Sequence, residues 1–411
     1  RCDIPEPEPL IAMADQKFRR DILDVLPHFL PRFVIVASPI FLVRRSFAKV
    51  QCPELSGIAI ARKNRCDRSQ DRSLICLDNK VSRCFNRLPF LPLGSFTMKK
   101  SIAAAILSTA LCVTAAGAQE TKLSIGYAGW TGFAPLTLAK EAGIFKKNGL
   151  DVTLKKIPQA SRHLALLSGD IQCAATTVET WVVWNANGVP TKQIFQLDKS
   201  YGADGMVVRS SVAKIADLKG KTVAASAPGT APYFTLAWFL KKNGLSVKDV
   251  TVVNMEPGPA AQAFIAGQND AAMTYEPYLS AVRDAPQSGK IIATTLDYPM
   301  IMDTFGCTTD YLAKNEKVAK ALADSYFEAV AMIEKDKAKS YEIMGADVKQ
   351  TGEQFGKSAA YLRWQDRAAN KKFFSGEHAA FSAEAADLLM EIGIIKQKPD
   401  IGALADPRFV Q

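Results

Sequence analysis

Trp130-Thr131-Gly132-Phe133 follows a short strand-like run, Leu123 to Tyr127, and offers two kinds of contact. The Trp130 indole could stack on a flat or cationic ligand, while Thr131 and nearby amides could hold an anionic group; packing beneath the loop is the alternative for Trp130. Thr177 stands between a strand and a helix, where its hydroxyl would meet free backbone amides as an N-cap. A helix start of that kind suits a sulfonate, carboxylate or nitrate. Glu179, in the same first turn, either complements the helix dipole or points inward to hold an amine. Ser226, Thr230 and Tyr233 repeat the theme further on: hydroxyls ahead of a second helix, and a ring to cover a bound head group, or simply a capped turn. Glu276 precedes Pro277 at the head of another helix, and Asp303 lies where the chain returns from one sheet-forming set to the other. If both acids face one cleft, a positively charged or multiply N–H-donating ligand would satisfy them, because a buried carboxylate without a partner is costly. Asp204 is a weaker candidate of the same type, since Gly-Ala-Asp-Gly is also a plain turn signature.

Catalytic patterns are missing beside these candidates. The chain after residue 97 holds only His163 and His378, with no Ser-His-Asp arrangement, no G-x-S-x-G elbow and no C-x-x-C or Cys/His cluster. Neither a metal nor a cofactor is indicated.

The elements that must position the candidates alternate. Strand-like runs at 123–127, 151–154, 171–176, 222–225, 250–255 and 271–275 alternate with helical runs at 135–149, 160–168, 178–187, 231–243, 259–266 and 277–284. Loops this short predict α/β units with mainly parallel sheets. The alternation falls into two sets, 122–200 and 221–295. Residues 296–308 read as extended and irregular, and the rest is strongly helical. Two sheet lobes joined by two crossings make a hinged cleft, with ligands expected outside the carboxyl ends of the strands.

Upstream, Met98-Lys99-Lys100, an apolar run and Ala116-Gly117-Ala118 together have the form of a secretory signal peptide over 98–118. Cys112 opens a lipoprotein alternative, against which stands the bulky Leu111. Residues 1–97 begin with Arg1 and carry five of the eight cysteines. They are expected to be an upstream extension outside the working protein, the alternative being a cytoplasmic or membrane-tethering domain. They also carry +6 of the formal +10 charge, leaving about +2 for residues 119–411, so nucleic acid is not an indicated partner. Cys173 and Cys307 are expected to be buried free thiols rather than a bridge.

Several of these segments resemble one family in register. Gly126-Tyr127-Ala128-Gly129-Trp130, continuing through Ala142-Gly143-Ile144-Phe145 to Asn148-Gly149-Leu150-Asp151-Val152, resembles the opening of nitrate/sulfonate/taurine-type solute-binding proteins of ABC importers. Leu167-Ser168-Gly169-Asp170-Ile171, Leu218-Lys219-Gly220-Lys221-Thr222-Val223-Ala224 and Tyr275-Glu276-Pro277-Tyr278 are similar to three later signatures of that family. The resemblance implies a two-lobed α/β periplasmic binding protein fold of type II: lobe 1 over 119–205, lobe 2 over 206–300, and 301–411 returning to lobe 1 with helices. It implies a monomeric, non-catalytic periplasmic protein that passes a small nitrogen-bearing solute (an aminosulfonate, an amine or a pyrimidine-type compound) to a membrane permease. It also gives Asp303 the place of an acid near a ligand amine. A sensory adaptor would keep the same site. A pyrimidine-precursor synthase shares the fold but needs clustered cysteines that are absent here.

Overall fold

The computed structural model describes residues 120–411. The signal-like stretch, Cys112 and residues 1–97 lie outside the described residues. β-Branched and apolar runs form eleven strands in two sheets. The larger sheet holds β1 (Thr121–Tyr127), β2 (Leu150–Lys156), β3 (Cys173–Thr177), β4 (Thr191–Ser200), β10 (Met302–Thr308) and β11 (Leu362–Trp364), in the order β11-β4-β10-β3-β1-β2. The smaller sheet holds β5 (Asp204–Val208), β6 (Thr222–Ala225), β7 (Thr251–Asn254), β8 (Ala271–Tyr275) and β9 (Lys290–Thr294), in the order β7-β6-β8-β5-β9.

Both sheets are mixed. The β1–β2, β1–β3, β6–β7 and β6–β8 pairs are parallel, as short strand–helix units require. β5 and β10, which open each lobe's return from the other, insert antiparallel to their neighbours. The chain therefore crosses between sheets twice, at 201–203 and at 295–301. Asp204 already belongs to the smaller sheet, two residues ahead of the boundary expected at 205/206. The crossings are tied together: the Ser200 and Thr295 hydroxyls lie 2.7 Å apart, and Gly202 N–H donates to Thr295 Oγ1 at 2.8 Å.

The helices that frame the site are α1 (Ala134–Glu141), α2 (Gln159–Leu167), α3 (Val178–Ala186), α4 (Ala231–Lys242), α5 (Tyr278–Arg283), α6 (Glu316–Lys335) and α7 (His378–Glu391). The helix expected over 135–149 stops at Glu141. Gly143, at φ 73°, turns the chain before a second short helix at Ile144–Lys147. The larger sheet is packed by stacked Phe195, Phe305 and Tyr326, the last from α6. A second apolar cluster joins α3 and α7 to α4 and the smaller sheet, and buries Trp181 and Trp184. Cys173 and Cys307 are bonded, not free. They are directly opposed on antiparallel β3 and β10, a pairing hidden by 134 residues of sequence separation. Among the described residues no helix is long and apolar enough to cross a membrane.

Candidate functional site

Strand ends from both sheets converge on one cavity of about 30 Å³. β1 runs into the Ala128–Trp130 loop, β3 ends at Thr177, β5 begins at Asp204 and β8 ends at Tyr275. Asp303 on β10 is in register with Thr177 on one side and Asp198 on the other, so three polar side chains form a row across the larger sheet. Trp130, Gln159, Arg162, Thr177, Asp204 and Asp303 are among the lining residues. A surface groove of about 630 Å³ near Lys314 and Lys320 is larger, but its arginines are engaged, Arg367 with Asp324 and Arg408 with Asp406.

The cavity wall is acidic and short of donors. Asp198, Asp204, Asp303 and Glu179 are all buried. Asp204 Oδ2, Asp303 Oδ2 and both Glu179 oxygens have no hydrogen-bond partner. Burial, with the Asp204 charge adding to it, pushes Glu179 up to about 8. Burial and the Glu276 charge push Asp204 up to about 7. Asp303 is also raised, by burial first and then by Asp198, Asp204 and Glu179; Asp198 is raised by burial and by Asp204, against the lowering effect of its hydrogen bonds with Trp130 and Asp303. Two carboxyls opposed on neighbouring strands cannot both ionise cheaply, which favours the protonated form of one of them. Arg162 is buried beside them; burial lowers it to about 10, and Tyr275, Asp303 and Glu256 oppose that shift. Its guanidinium donates to Ala175 O at 2.5 Å and to Ile157 O at 2.9 and 3.2 Å. Gly126 leaves room for both neighbours, since a Cβ there would sit 2.5 Å from Ile171 Cδ1 and 3.1 Å from Arg162 Cγ.

Of the sequence candidates, Trp130, Thr177, Asp204 and Asp303 line the cavity, and six do not. Trp130 donates its indole N–H to Asp198 at 3.3 Å and meets Tyr275 edge-to-face at 5.3 Å. Thr177 is the N-cap of α3, but its hydroxyl makes no cap hydrogen bond; it lies 2.8 Å from Thr180 Oγ1 and accepts from Gln159. Thr131 is fully buried, with its hydroxyl unpartnered and its N–H donated to Glu276 O across the cleft. Glu179 lies behind the wall in the first turn of α3. Ser226 is buried and unpartnered, Thr230 donates to Ala227 O, and Tyr233 is half-buried on α4. Glu276 is not open to a ligand as expected: Arg283 pairs with one oxygen and Ser280 N–H donates to the other. The physical reason is local, because α5 brings Arg283 back over the acid that precedes the helix.

Two lining residues, Arg162 and Gln159, and Asp198, which anchors Trp130, escaped the sequence reading. Asp198 was detectable as a lone acid in the apolar run Ile194-Phe195-Gln196-Leu197. Arg162 was hidden because helix position alone did not reveal that its face turns inward. Gln159 gave no signal, yet it joins Thr176 and Thr180 of the larger lobe to Ala231 N–H of the smaller one.

Comparison with known proteins agrees with this geometry. Residues 116–345 match the NMT1-like family. The taurine-binding periplasmic protein of Escherichia coli K12 is 29% identical over 54% of this chain and 70% of its own length. A putative aliphatic sulfonates-binding protein of the same organism is 25% identical over 72% of this chain and 92% of its own. The alkanesulfonate-binding protein SsuA of Xanthomonas axonopodis pv. citri, solved with MOPS, superposes with a TM-score of 0.59 at 22% identity, covering 70% of this chain and 98% of SsuA. At that identity the superposition carries the fold: two α/β lobes around a cleft, as in periplasmic binding proteins.

Proposed function

We propose, for a chain that belongs to the NMT1-like family, that it is the extracytoplasmic solute-binding component of an ABC importer and that its ligand is a small nitrogen-bearing organic solute. One observation carries the ligand reading. Asp204 and Asp303, from opposite lobes, line the same cavity beside Trp130, and each has a buried carboxylate oxygen without a partner. A ligand that donates N–H bonds to both acids would stabilise the closed form by contacts that the open form cannot offer. The taurine- and sulfonate-binding names of its relatives support the transport role, in which the closed monomer docks on a membrane permease. Among those relatives' functions none is catalytic by name, which supports a non-enzymatic role here.

Export through residues 98–118 is part of this reading. N-terminal sequencing of the periplasmic protein is expected to begin near Gln119, and an intact Arg1 would overturn it. For the ligand, a thermal-shift screen against amines, aminosulfonates, ureas and pyrimidines is expected to raise the melting temperature with a nitrogen compound. Stabilisation by nitrate or bicarbonate alone would defeat the role given to Asp204 and Asp303.

A further inference from the structure

We infer that the cleft takes a compact organic cation with no anionic group, such as an ammonium, amidinium or guanidinium, rather than a sulfonate or an aminosulfonate. The inference rests on the solute-capturing role proposed above and narrows its ligand. It follows from the state of each donor and acceptor around the cavity.

The donors that an anion would need are engaged within the protein. Arg162 directs three of its N–H groups to the carbonyls of Ile157 and Ala175, and its charge lies beside Asp303 and Glu256, which outnumber it. The first amide of α4, Ala231 N–H, donates to Gln159 Oε1 at 3.1 Å, and Thr131 N–H donates to Glu276 O at 3.3 Å. The Thr230 hydroxyl donates to Ala227 O at 2.7 Å, and the Trp130 indole to Asp198. The start of α3 carries Glu179 in its first turn, so negative charge already stands where an anion would seek the helix dipole.

The acceptors are in the opposite state. Asp204 and Asp303 both line the cavity and each keeps one buried oxygen, Oδ2, without a partner, and Glu179 adds two more unpartnered oxygens behind it. Buried carboxylate oxygens without donors are expensive, and only a ligand rich in N–H groups relieves them. Trp130 and Tyr275 give the wall aromatic faces, which attract a cation and not an anion. The acids surround the space rather than converge: no group of three or more His, Cys, Asp or Glu among the described residues is arranged to hold a metal ion. A cation with N–H donors pointing in several directions fits that spacing, and a cavity of about 30 Å³ favours a compact one.

The test is calorimetric titration of the purified protein at about pH 8, above the value near 7 to which Asp204 is raised. Guanidinium, acetamidinium and ethylammonium chlorides form one set, taurine, ethanesulfonate and sodium nitrate the second, and urea serves as a neutral control for guanidinium. Saturable heat is expected with at least one cation, and weaker binding or none with urea and the second set. Asp303→Asn and Asp204→Asn are each expected to weaken that cation by about a hundredfold, the scale for removing one partner of a buried charge pair. Circular dichroism melting confirms that each variant folds. Taurine or ethanesulfonate binding more tightly than every cation would overturn this inference and leave the transport role standing. Unchanged cation affinity in both folded variants would overturn it as well. Saturable heat with none of the compounds would overturn this inference and the solute-capturing role together.

Discussion

Gly132 has no room for a side chain. A Cβ there would lie 2.2 Å from both Asp198 Oδ2 and Trp130 Nε1, so the glycine lets the first loop settle onto the acid that anchors the indole. Gly132→Ala must push that pair apart. A loss of about 1–3 kcal/mol in urea denaturation is expected from the overpacking, with weaker ligand binding alongside. The cavity acids give a second residue-scale expectation. Glu179 and Asp204 have folded-state values near 8 and 7, above their unfolded ones, so the folded chain holds more protons than the unfolded chain at intermediate pH. Their stabilising contribution is complete in acid and is lost as pH rises through those folded values. His378 acts in the other direction: burial lowers it to about 4, so its contribution is complete above the ordinary histidine range and is lost on acidification toward that value. The two effects oppose each other below about pH 6.5 and separate above it. Ligand-free stability is therefore expected to fall by about 1–2 kcal/mol between roughly pH 6.5 and 8, a change that Glu179→Gln should flatten. Chemical denaturation across that interval checks it; stability that rises there would contradict the burial of these acids.

β3 and β10 are the elements on which the site depends, because between them they carry Thr177 and Asp303 in register and the bond between Cys173 and Cys307. Reducing that bond, or replacing both cysteines with serine, is expected to cost about 2–5 kcal/mol of stability, given the long stretch of chain it closes. Thermal melts with and without reductant measure it, and an unchanged melt would mean the bond contributes nothing. The parallel halves of both sheets, β1 to β3 and β6 to β8, were legible because each strand is followed at once by a helix with a glycine stop. β10 was not legible. Its run, Met302-Asp303-Thr304-Phe305-Gly306, mixes an acid and a glycine into apolar residues, and its partners lie more than a hundred positions away in the chain. β4 was equally obscure, with Lys192, Gln193, Gln196 and Asp198 interrupting its apolar pattern. Two of the same interruptions support residues of β10 and the first loop: Gln193 bonds Thr304, and Asp198 meets Trp130. Four of the ten sequence candidates reached the cavity because strand ends and helix starts mark loops well. Of the others, Glu276 and Thr230 are engaged by neighbours, Arg283 and Ala227, while Thr131, Glu179 and Ser226 are buried outside the lining and Tyr233 is half-buried on α4.

Across the whole molecule, closure depends on contacts made by side chains and backbone of both lobes. The chain crosses twice near Gly202 and Thr295, and the polar contacts that hold the cleft shut are few. Thr131 N–H donates to Glu276 O, and Gln159 bridges Thr176 and Thr180 to the first amide of α4. Gln159 touches nothing else in the smaller lobe by hydrogen bond, so removing its amide should leave each lobe's fold intact while raising the free energy of the closed form. Apparent affinity scales with the fraction of molecules able to close. Gln159→Ala is therefore expected to weaken ligand binding by about tenfold, the scale of one lost buried hydrogen bond, without a matching drop in melting temperature. Small-angle scattering should show a larger radius of gyration for the ligand-free variant than for the ligand-free parent, and the same compact radius for both at saturating ligand. Equal radii without ligand would mean that Gln159 lines the cavity without latching it, and closure would then rest on the aromatic contact between Trp130 and Tyr275.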